Sequence, residues 1–560
     1  MSDLMSFIFA VSSVSEDKAI SRKFTRPVYL WIGAGVLIVI ALVRIISTYT
    51  VFSQTYDEPA QIGKGMEWLD KGEYTVYIEH PPLARVMVAI GPYLAGTRST
   101  GNPGQYGEGN AILHTGGAYF RNLALARSGI LPFFILASVV VWMWAKRDFG
   151  LQVAFLSTAF FTTLPSILAH SGVATTDMPV TATFILALFA LRLWLEQPDF
   201  RRSLFLSVAV AMSILSKFSA LVFLPVAGGC IALVHWYKTP KSTGFLGYPV
   251  ERWLRAIAAA TLVSFIVIWG TYRFSIGKVD TLPGFLSEIQ IPAREFTLGI
   301  QSVMEHNREG HLAYLLGEVS ENGWWYYFPI AIAVKTPLPF LGFLLTGFYA
   351  IARRGAVLRR DAQVLMPLLI SLGVLGVAMT SNINIGLRYV LPVYPFFAII
   401  AGYGAYFLWF SLPYNPTGRF LTIGLIGWYL VTTFAAHPDY LPYFNELAGD
   451  HPEDILVDSD LDWGQDIQRL SEALKDKNIE TLRSCLFSSH RNRDLDAFGF
   501  PPMKKLPTDR ETTGWIAISM MCLKMGTFEW PYDQFSWLEP HKPVERIGKS
   551  IDLYFIPKGD

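Results

Sequence analysis

The chain has 560 residues, of which 52% are hydrophobic and only 16% charged. Soluble domains carry about 25% charged residues, and single cores stop growing at about 250–300 residues. This balance excludes a soluble enzyme, a disordered chain and a secreted disulfide scaffold, and leaves a polytopic membrane protein; a net charge of +1 gives no reason to expect a nucleic-acid partner.

Residues 1–26 read as a cytoplasmic tail, polar and basic toward its end through Lys18, Arg22, Lys23 and Arg26. The apolar stretch from Tyr29 to Thr48 follows, with no small-residue cleavage site after it, and reads as a retained first span. Further apolar segments lie at 124–145, 151–168, 178–195, 203–216, 218–237, 254–273, 327–351, 363–380, 388–410 and 420–436. Together they predict about eleven transmembrane helices. The 203–216 segment is short. The 327–351 segment contains Lys335, Pro337 and Pro339, so its helix is expected to begin near Thr336.

The loops orient these spans. Even-numbered turns carry Lys146 and Arg147; Arg201 and Arg202; Lys238, Lys241, Arg252 and Arg255; Arg353, Arg354, Arg359 and Arg360; and Arg419. The short odd-numbered loops 169–176 and 381–387 carry no Lys or Arg. The positive-inside rule therefore puts the N-terminus in the cytoplasm, and an odd span count puts the C-terminal region outside. The chain divides into the tail 1–26, a transmembrane domain 27–437 with large outer loops at 51–123 and 275–326, and an extracytoplasmic domain 438–560.

Loop 51–123 contains two predicted short helices. Pro59 suits a first helical position and Gly72 a C-terminal cap, with Ile62, Met66 and Leu69 on one face. The second begins near Pro82, with Leu83, Val86, Met87 and Ile90 on one face. Both have the pattern of helices lying in the membrane interface. The stretch 284–306 reads as a helix with Phe285, Ile289, Phe296, Ile300 and Val303 apolar. In the tail, Ile455–Val457, Leu486–Ser488, Trp515–Ser519 and Ile551–Ile556 are strand candidates and Ile467–Leu474 is helical. The tail is expected to be a small α/β domain whose sheet order the sequence does not fix. Cys230 sits in an apolar segment as a small hydrophobe. Cys485 and Cys522 both fall in the tail, and spacing alone leaves their pairing open.

Charged residues at the membrane edge gather on one side. Asp57 and Glu58 follow the first span, and Glu79 and His80 separate the interface helices. Asp177 opens the fourth span, Lys217 lies at the turn between the fifth and sixth, Lys335 lies in the eighth and Arg388 opens the tenth. Ionisable groups at membrane depth are costly, so their default reading is functional, with a partner nearby. Each also has a plainer reading. Glu58 and Asp177 suit helix caps, Lys335 and Arg388 could snorkel, and a lone histidine is more often structural than a ligand. Carboxylates supply a base or bind a metal or hydroxyl-rich group, while Lys, Arg and His suit a phosphate. A lipid-phosphate sugar donor meets both needs.

Tyr56-Asp57-Glu58 followed by His80-Pro81-Pro82-Leu83-Ala84 resembles the first outer loop of the GT-C glycosyltransferases, of the protein O-mannosyltransferase and lipid A aminoarabinose transferase type. Thr175-Thr176-Asp177-Met178-Pro179 is similar to the second acidic motif of that group. Bacterial members share stretches like 323–329 with Val334-Lys335-Thr336-Pro337, Asn384-Ile385-Gly386-Leu387-Arg388-Tyr389, and 458–466. The resemblance implies a GT-C transmembrane catalytic domain in the bacterial cytoplasmic membrane. It implies inverting transfer of a sugar, mannose being the commonest, from a polyprenyl-phosphate donor at the extracytoplasmic face. Membrane lipids would surround the reaction, and the acceptor, whether protein, lipid A, another polyprenol or glycan, stays open.

Carried over, Asp57 would be the general base, Glu58 would orient it, and Asp177 would complete the acidic pair. Lys335 and Arg388 would hold the donor phosphate, with His80 and Glu79 bordering the pocket and Lys217 lining it. Some relatives have a lysine where this chain has His80. A divalent metal is a further expectation, with Asp57, Glu79, His80 and Asp177 as candidate ligands. Trp324, Trp325, Tyr326 and Tyr327 read either as an interfacial belt or as a stacking surface for sugar or acceptor. The tail motif, with Asp458, Asp460, Asp462, Trp463, Gln465 and Asp466, is unlike a calcium loop and is expected to be a strand-to-helix junction packed over the site. The competing class is a transporter of lipid-linked sugars, which would need polar residues at mid-membrane on several spans. An oligosaccharyltransferase-type subunit is a third reading, and the tail motif does not match its usual Trp-Trp-Asp pattern.

Overall fold

The computed structural model describes residues 27–557, apart from 75–77, 103, 240–247, 282, 358, 411–415, 476 and 478. The basic tail 1–26 and Lys241 lie outside the described residues. Among the described residues, eight helices are long and apolar enough to cross a membrane, and two pairs of helices, bent by 61° and 119°, make ten if each pair is one span. The chain is a multi-pass membrane protein. Both bends sit before a proline, whose ring disfavours the helical conformation in the preceding residue. Leu164 before Pro165 (φ −60°, ψ 126°) breaks the first pair, and Thr336 before Pro337 (φ −111°, ψ 132°) breaks the second. The expected late start near Thr336 is therefore half of the picture: Tyr327–Lys335 is already helical, and the chain turns before Leu338–Val357.

The short predicted segment is the helix Phe200–Ser216. Its 17 residues rise about 25 Å. It runs back along Asp177–Glu196, since Lys217 at its end meets Asp177 at the other's start. It is shorter than the other spans, so the structure supports eight to ten of the eleven crossings expected. Close approach of the helices Leu338–Val357 and Tyr394–Phe410 depends on small residues. A Cβ on Gly347 would stand 2.1 Å from the Ile400 carbonyl oxygen, and one on Gly404 would stand 2.0 Å from that of Phe343.

The first loop contains the helices Glu58–Asp70 and Pro82–Leu94. Ile62 and Met66 are buried as expected. The second helix turns a different face inward: Ala84, Arg85, Val88 and Ala89 are buried, while Leu83, Val86, Met87 and Ile90 are only half covered. Arg85 goes inward because Gln61 accepts its Nε–H at 2.8 Å and the Tyr74 hydroxyl its Nη1–H at 3.0 Å. In the second large loop, β1 (Ile276–Gly277) pairs with β2 (Ile291–Pro292), and β3 (Ala313–Leu315) with β4 (Glu318–Ser320), both antiparallel. The helix expected over 284–306 is Arg294–Glu309, because Pro292 and left-handed Ala293 (φ 51°) delay it.

The tail holds a mixed five-stranded sheet of β5 (Leu482–Cys485), β6 (Met503–Lys505), β7 (Gly514–Ser519), β8 (Glu545–Ile547) and β9 (Ile551–Ile556), in the order β6-β5-β7-β9-β8. β5 runs parallel to β6 and β7, and β9 antiparallel to β7 and β8. The Ile467–Lys475 helix covers one face with Ile467, Leu470 and Leu474. Phe535 and Leu538 pack on Ile516, Ile518 and Tyr554 of the other. Ile455–Val457 is not a strand; it lies between two single 3-10 turns. Residues 486–488 lie just beyond β5, not in it. Cys485 and Cys522 form a disulfide with their Cα atoms 6.0 Å apart.

Candidate active site

The tail motif is the floor on which the site stands. It begins as the 3-10 turn Asp458–Asp460 and ends at the helix Ile467–Lys475, so it leads into a helix from a 3-10 turn and not from the strand expected. It pairs with the segment before Asp57: the Ser53 N–H donates to the Gln465 carbonyl at 3.1 Å and the Tyr56 N–H to that of Trp463 at 2.8 Å. The Tyr56 ring stacks on Phe487 at 4.6 Å. Inside the motif Gln465 accepts the Trp463 N–H at 2.8 Å, and Asp462 accepts the Met521 N–H at 2.9 Å. Burial pushes the Asp462 carboxyl up to about 7 and also raises Asp466, which accepts the Ser550 hydroxyl at 2.7 Å. These two aspartates face the tail's own interior.

Asp460 faces the bundle. It accepts the Leu387 N–H at 3.1 Å, while Ser459 donates its hydroxyl to the Ile385 carbonyl at 2.7 Å. This contact requires Gly386 (φ 87°), where a Cβ would stand 2.5 Å from the Ser459 hydroxyl. The turn so held presents Arg388. Its Nη1 donates to Asp57 Oδ2 at 2.5 Å, and its guanidinium lies 4.4 Å from the centre of the Trp463 ring. Asp57 retains 26% side-chain exposure and Arg388 12%, so the pair is open to a ligand.

Asp177 lies in the same electrostatic neighbourhood, Arg388 being among the charges that act on it. It is buried, accepts the Lys217 ammonium at 2.7 Å and receives the Thr175 hydroxyl at 3.2 Å. His80 is within the field of Lys217, Asp177 and Arg388; burial, with Arg85, holds it well below the ordinary histidine range, so it is neutral. Its Nδ1 has no partner among the described residues. Glu79 beside it is half-buried. The structure thus brings Asp57, Asp177, Lys217, His80 and Arg388 together.

Glu58 and Lys335 are both turned into the scaffold. Glu58 is fully buried and turned toward Arg127, whose Nε and Nη2 reach its carboxylate at 2.8 and 2.9 Å. The N–H groups of Thr55 and Ala174 complete its shell, each at 2.7 Å. Both of its oxygens are thus hydrogen-bonded within the chain. Lys335, expected at the donor phosphate, is buried and donates instead to the carbonyls of Leu441, at 2.7 Å, and Asp460. Its ammonium sits 4.2 Å from the Phe444 ring centre. It joins the bent helix to the tail and stands behind the Arg388 turn. In the aromatic run, Tyr327 accepts the Gly386 N–H at 3.1 Å and the Trp324 N–H donates to Asn384 at 2.7 Å. Tyr326 is half-buried, and Trp325 alone of the four is open, with 67% exposure.

The carboxylates do not fit a divalent metal, because Asp57 and Asp177 each meet a cation of the chain. Among the described residues no group of three or more His, Cys, Asp or Glu could hold a metal ion. The sequence reading missed Arg127, although a charge inside the predicted 124–145 span was a usable signal. It also missed His311, which lies in the field of Asp458, Arg388 and Asp57 and is lowered by burial; nothing in its sequence neighbourhood marks it.

Residues 126–250 match the family described as dolichyl-phosphate-mannose-protein mannosyltransferase. That segment contains Arg127, Asp177 and Lys217. The match supports a membrane glycosyltransferase and covers less than half of the chain. No curated protein sequence matches the chain. Among solved structures, ArnT from Cupriavidus metallidurans bound to undecaprenyl phosphate is similar at 14% identity, over 93% of this chain and 98% of that one, with a TM-score of 0.48. The oligosaccharyltransferase AglB from Archaeoglobus fulgidus, in complex with an inhibitory peptide and a dolichol-phosphate, is similar at 11% identity, over 91% of this chain and 72% of that one, with a TM-score of 0.40.

Proposed function

We propose that the chain moves a sugar from a polyprenyl-phosphate donor to an acceptor hydroxyl, in one inverting displacement, with Asp57 as the base. The contact between Asp57 and Arg388 carries this reading: it joins a base and a phosphate-binding fork in a partly open pair. A donor phosphate offers Arg388 two oxygens and takes the guanidinium from Asp57. The freed carboxylate then accepts the acceptor's hydroxyl proton. The acceptor oxygen bonds to the anomeric carbon as the bond from that carbon to the phosphate oxygen breaks. Polyprenyl phosphate leaves with the bonding electrons, and Arg388 balances its charge. Neutral His80 supplies a hydrogen-bond donor, Lys217 holds Asp177 ionised beside the acceptor, and Trp325 offers a stacking face for it. Lys335 has no part in phosphate binding.

The basic turns support an extracytoplasmic site: Lys146, Arg147, Arg201 and Arg202 lie at the helix ends away from Asp57. The test is a transfer assay with the purified full chain, polyprenyl-phosphate mannose and a panel of protein, lipid and glycan acceptors. Asp57→Asn is expected to lower transfer by about 10²–10⁴. Near-normal transfer by that variant removes Asp57 as base. Movement of the intact lipid-linked sugar across vesicles, with no covalent transfer, replaces the enzyme by the transporter.

A further inference from the structure

The tail motif has four aspartates, and the chain holds three of them. Asp460 accepts the Leu387 N–H, Asp462 the Met521 N–H and Asp466 the Ser550 hydroxyl. Asp458 is the exception. It is half-buried, and its carboxylate has no hydrogen bond or ion pair among the described residues. Its backbone is left-handed (φ 50°), which aspartate tolerates and which gathers at functional sites. His311 stands nearby, and Asp458 is the charge that acts on it most strongly. Chain contacts fix this placement from both sides. The Ser381 hydroxyl donates to the Asn307 side chain at 3.0 Å, and the Leu316 N–H to the Ile455 carbonyl at 3.0 Å. Tyr314 packs on Val457 and Leu461. The His311 ring is half-buried, burial keeps it neutral, and no described residue hydrogen-bonds it. The His311 backbone N–H donates to the Glu321 carbonyl at 3.0 Å, on the segment that leads to the open Trp325.

Asp57, Asp177, Lys217 and Arg388 stand at helix ends, at the membrane edge where a lipid-held donor arrives. Asp458 comes from the tail and His311 from the second large loop, so they belong to the wall away from the bilayer, on the side from which an acceptor comes. We propose that Asp458, His311 and Trp325 bind a sugar ring of the acceptor, so that the hydroxyl presented to Asp57 belongs to a glycan. This rests on the transfer reaction proposed above and names its acceptor class. A carboxylate offers two acceptor oxygens to adjacent ring hydroxyls, a neutral imidazole adds one donor and one acceptor, and an indole face covers the C–H side of the ring. A serine or threonine side chain brings a single hydroxyl, which Asp57 engages, and leaves Asp458 and His311 unmatched. An ammonium is disfavoured at Asp458 because Arg388 lies within the field of the same carboxylate, and the two cations would repel. A ring diol supplies donors without adding charge.

The test has a binding arm and a transfer arm, both on the purified full-length chain. In the first, saturation-transfer NMR follows mannobiose, cellobiose, lactose and a serine- and threonine-rich peptide. At least one disaccharide is expected to bind, and Asp458→Asn and Trp325→Ala are each expected to weaken it by about tenfold. Asparagine also tolerates the left-handed backbone, so Asp458→Asn is expected to fold and to retain undecaprenyl phosphate in native mass spectrometry. In the second arm, the bound disaccharide is expected to accept the sugar of polyprenyl-phosphate mannose, and Asp458→Asn to raise its KM about tenfold with a smaller change in kcat. Absence of disaccharide binding, or binding that both variants leave unchanged, overturns the proposal. So does transfer to the peptide with a KM that Asp458→Asn does not move, an outcome that keeps the transfer reaction. Disaccharide binding that depends on Asp458, without transfer from any donor, supports the sugar site and overturns the reaction instead.

Discussion

Asp57 and Glu58 are adjacent in the chain and opposite in use. Asp57 stays partly open and meets Arg388 across 331 residues of sequence. Glu58 is sealed against Arg127, with both side chains at most 1% exposed. One turn of chain at the start of a helix points the two carboxylates in different directions, one toward the partly open Arg388 and one into the scaffold. On the proposed function, the Asp-Glu pair in this loop is therefore not a pair of catalytic acids. The second carboxylate holds the first in place, through Arg127 and the backbone N–H groups of Thr55 and Ala174.

Substitution separates the two roles. Asp57→Asn is expected to keep its melting temperature while transfer falls by about 10²–10⁴. Glu58→Gln leaves Arg127 as an unpaired buried charge and is expected to cost about 3–5 kcal/mol of stability, read as a lower melting temperature and poor yield. Molecules of that variant that remain folded are expected to retain transfer well above Asp57→Asn. If Glu58→Gln folds as the wild type and loses only activity, the two carboxylates share one function and the contrast fails.

Lys335 sharpens the same contrast at the other side of Arg388. Its ammonium answers carbonyls of Leu441 and Asp460, and the bent helix it ends is further capped by Asn445, whose amide donates to the Ala333 and Thr336 carbonyls at 2.6 Å. Lys335→Met would strip two buried carbonyls of a charged donor, an expected loss of about 1–3 kcal/mol. The affinity for a polyprenyl phosphate, measured by titration on the folded fraction, is expected to change far less than in Arg388→Gln. A larger loss of affinity in Lys335→Met would return Lys335 to the phosphate.

The spans, the two proline breaks and the five-residue cluster were within reach of the sequence, because each leaves a local mark: an apolar run, a proline, a charge at a membrane edge. What was not legible depends on chain segments far apart in sequence. Nothing near Lys335 announces that Leu441 and Asp460 will surround it, and nothing near Glu58 announces Arg127. The inward face of Pro82–Leu94 was misjudged because apolar periodicity favours Leu83, Val86, Met87 and Ile90, whereas Gln61 and Tyr74 draw Arg85 inward. Polar partners brought by tertiary structure overrode the hydrophobic pattern.

The smallest expected effect concerns the joint between the first loop and the tail, behind Glu58. Tyr119 accepts the Gln54 N–H at 2.9 Å, three residues before Asp57, and its hydroxyl meets His490 Nε2 at 3.3 Å. The other ring nitrogen of His490 meets the Ser488 hydroxyl at 2.7 Å. Burial holds His490 down to about 3 from its ordinary 6.5; His114 adds to the shift and Asp494 opposes it. The folded chain therefore keeps His490 neutral where the unfolded chain protonates it. Its contribution to stability is complete above pH 6.5 and is lost progressively as the pH falls from 6.5 toward 3. The melting temperature of the wild type is expected to drop between pH 7.5 and pH 5 by more than that of His490→Asn, which cannot take up the proton. An equal drop in both proteins would move the acid sensitivity away from this joint.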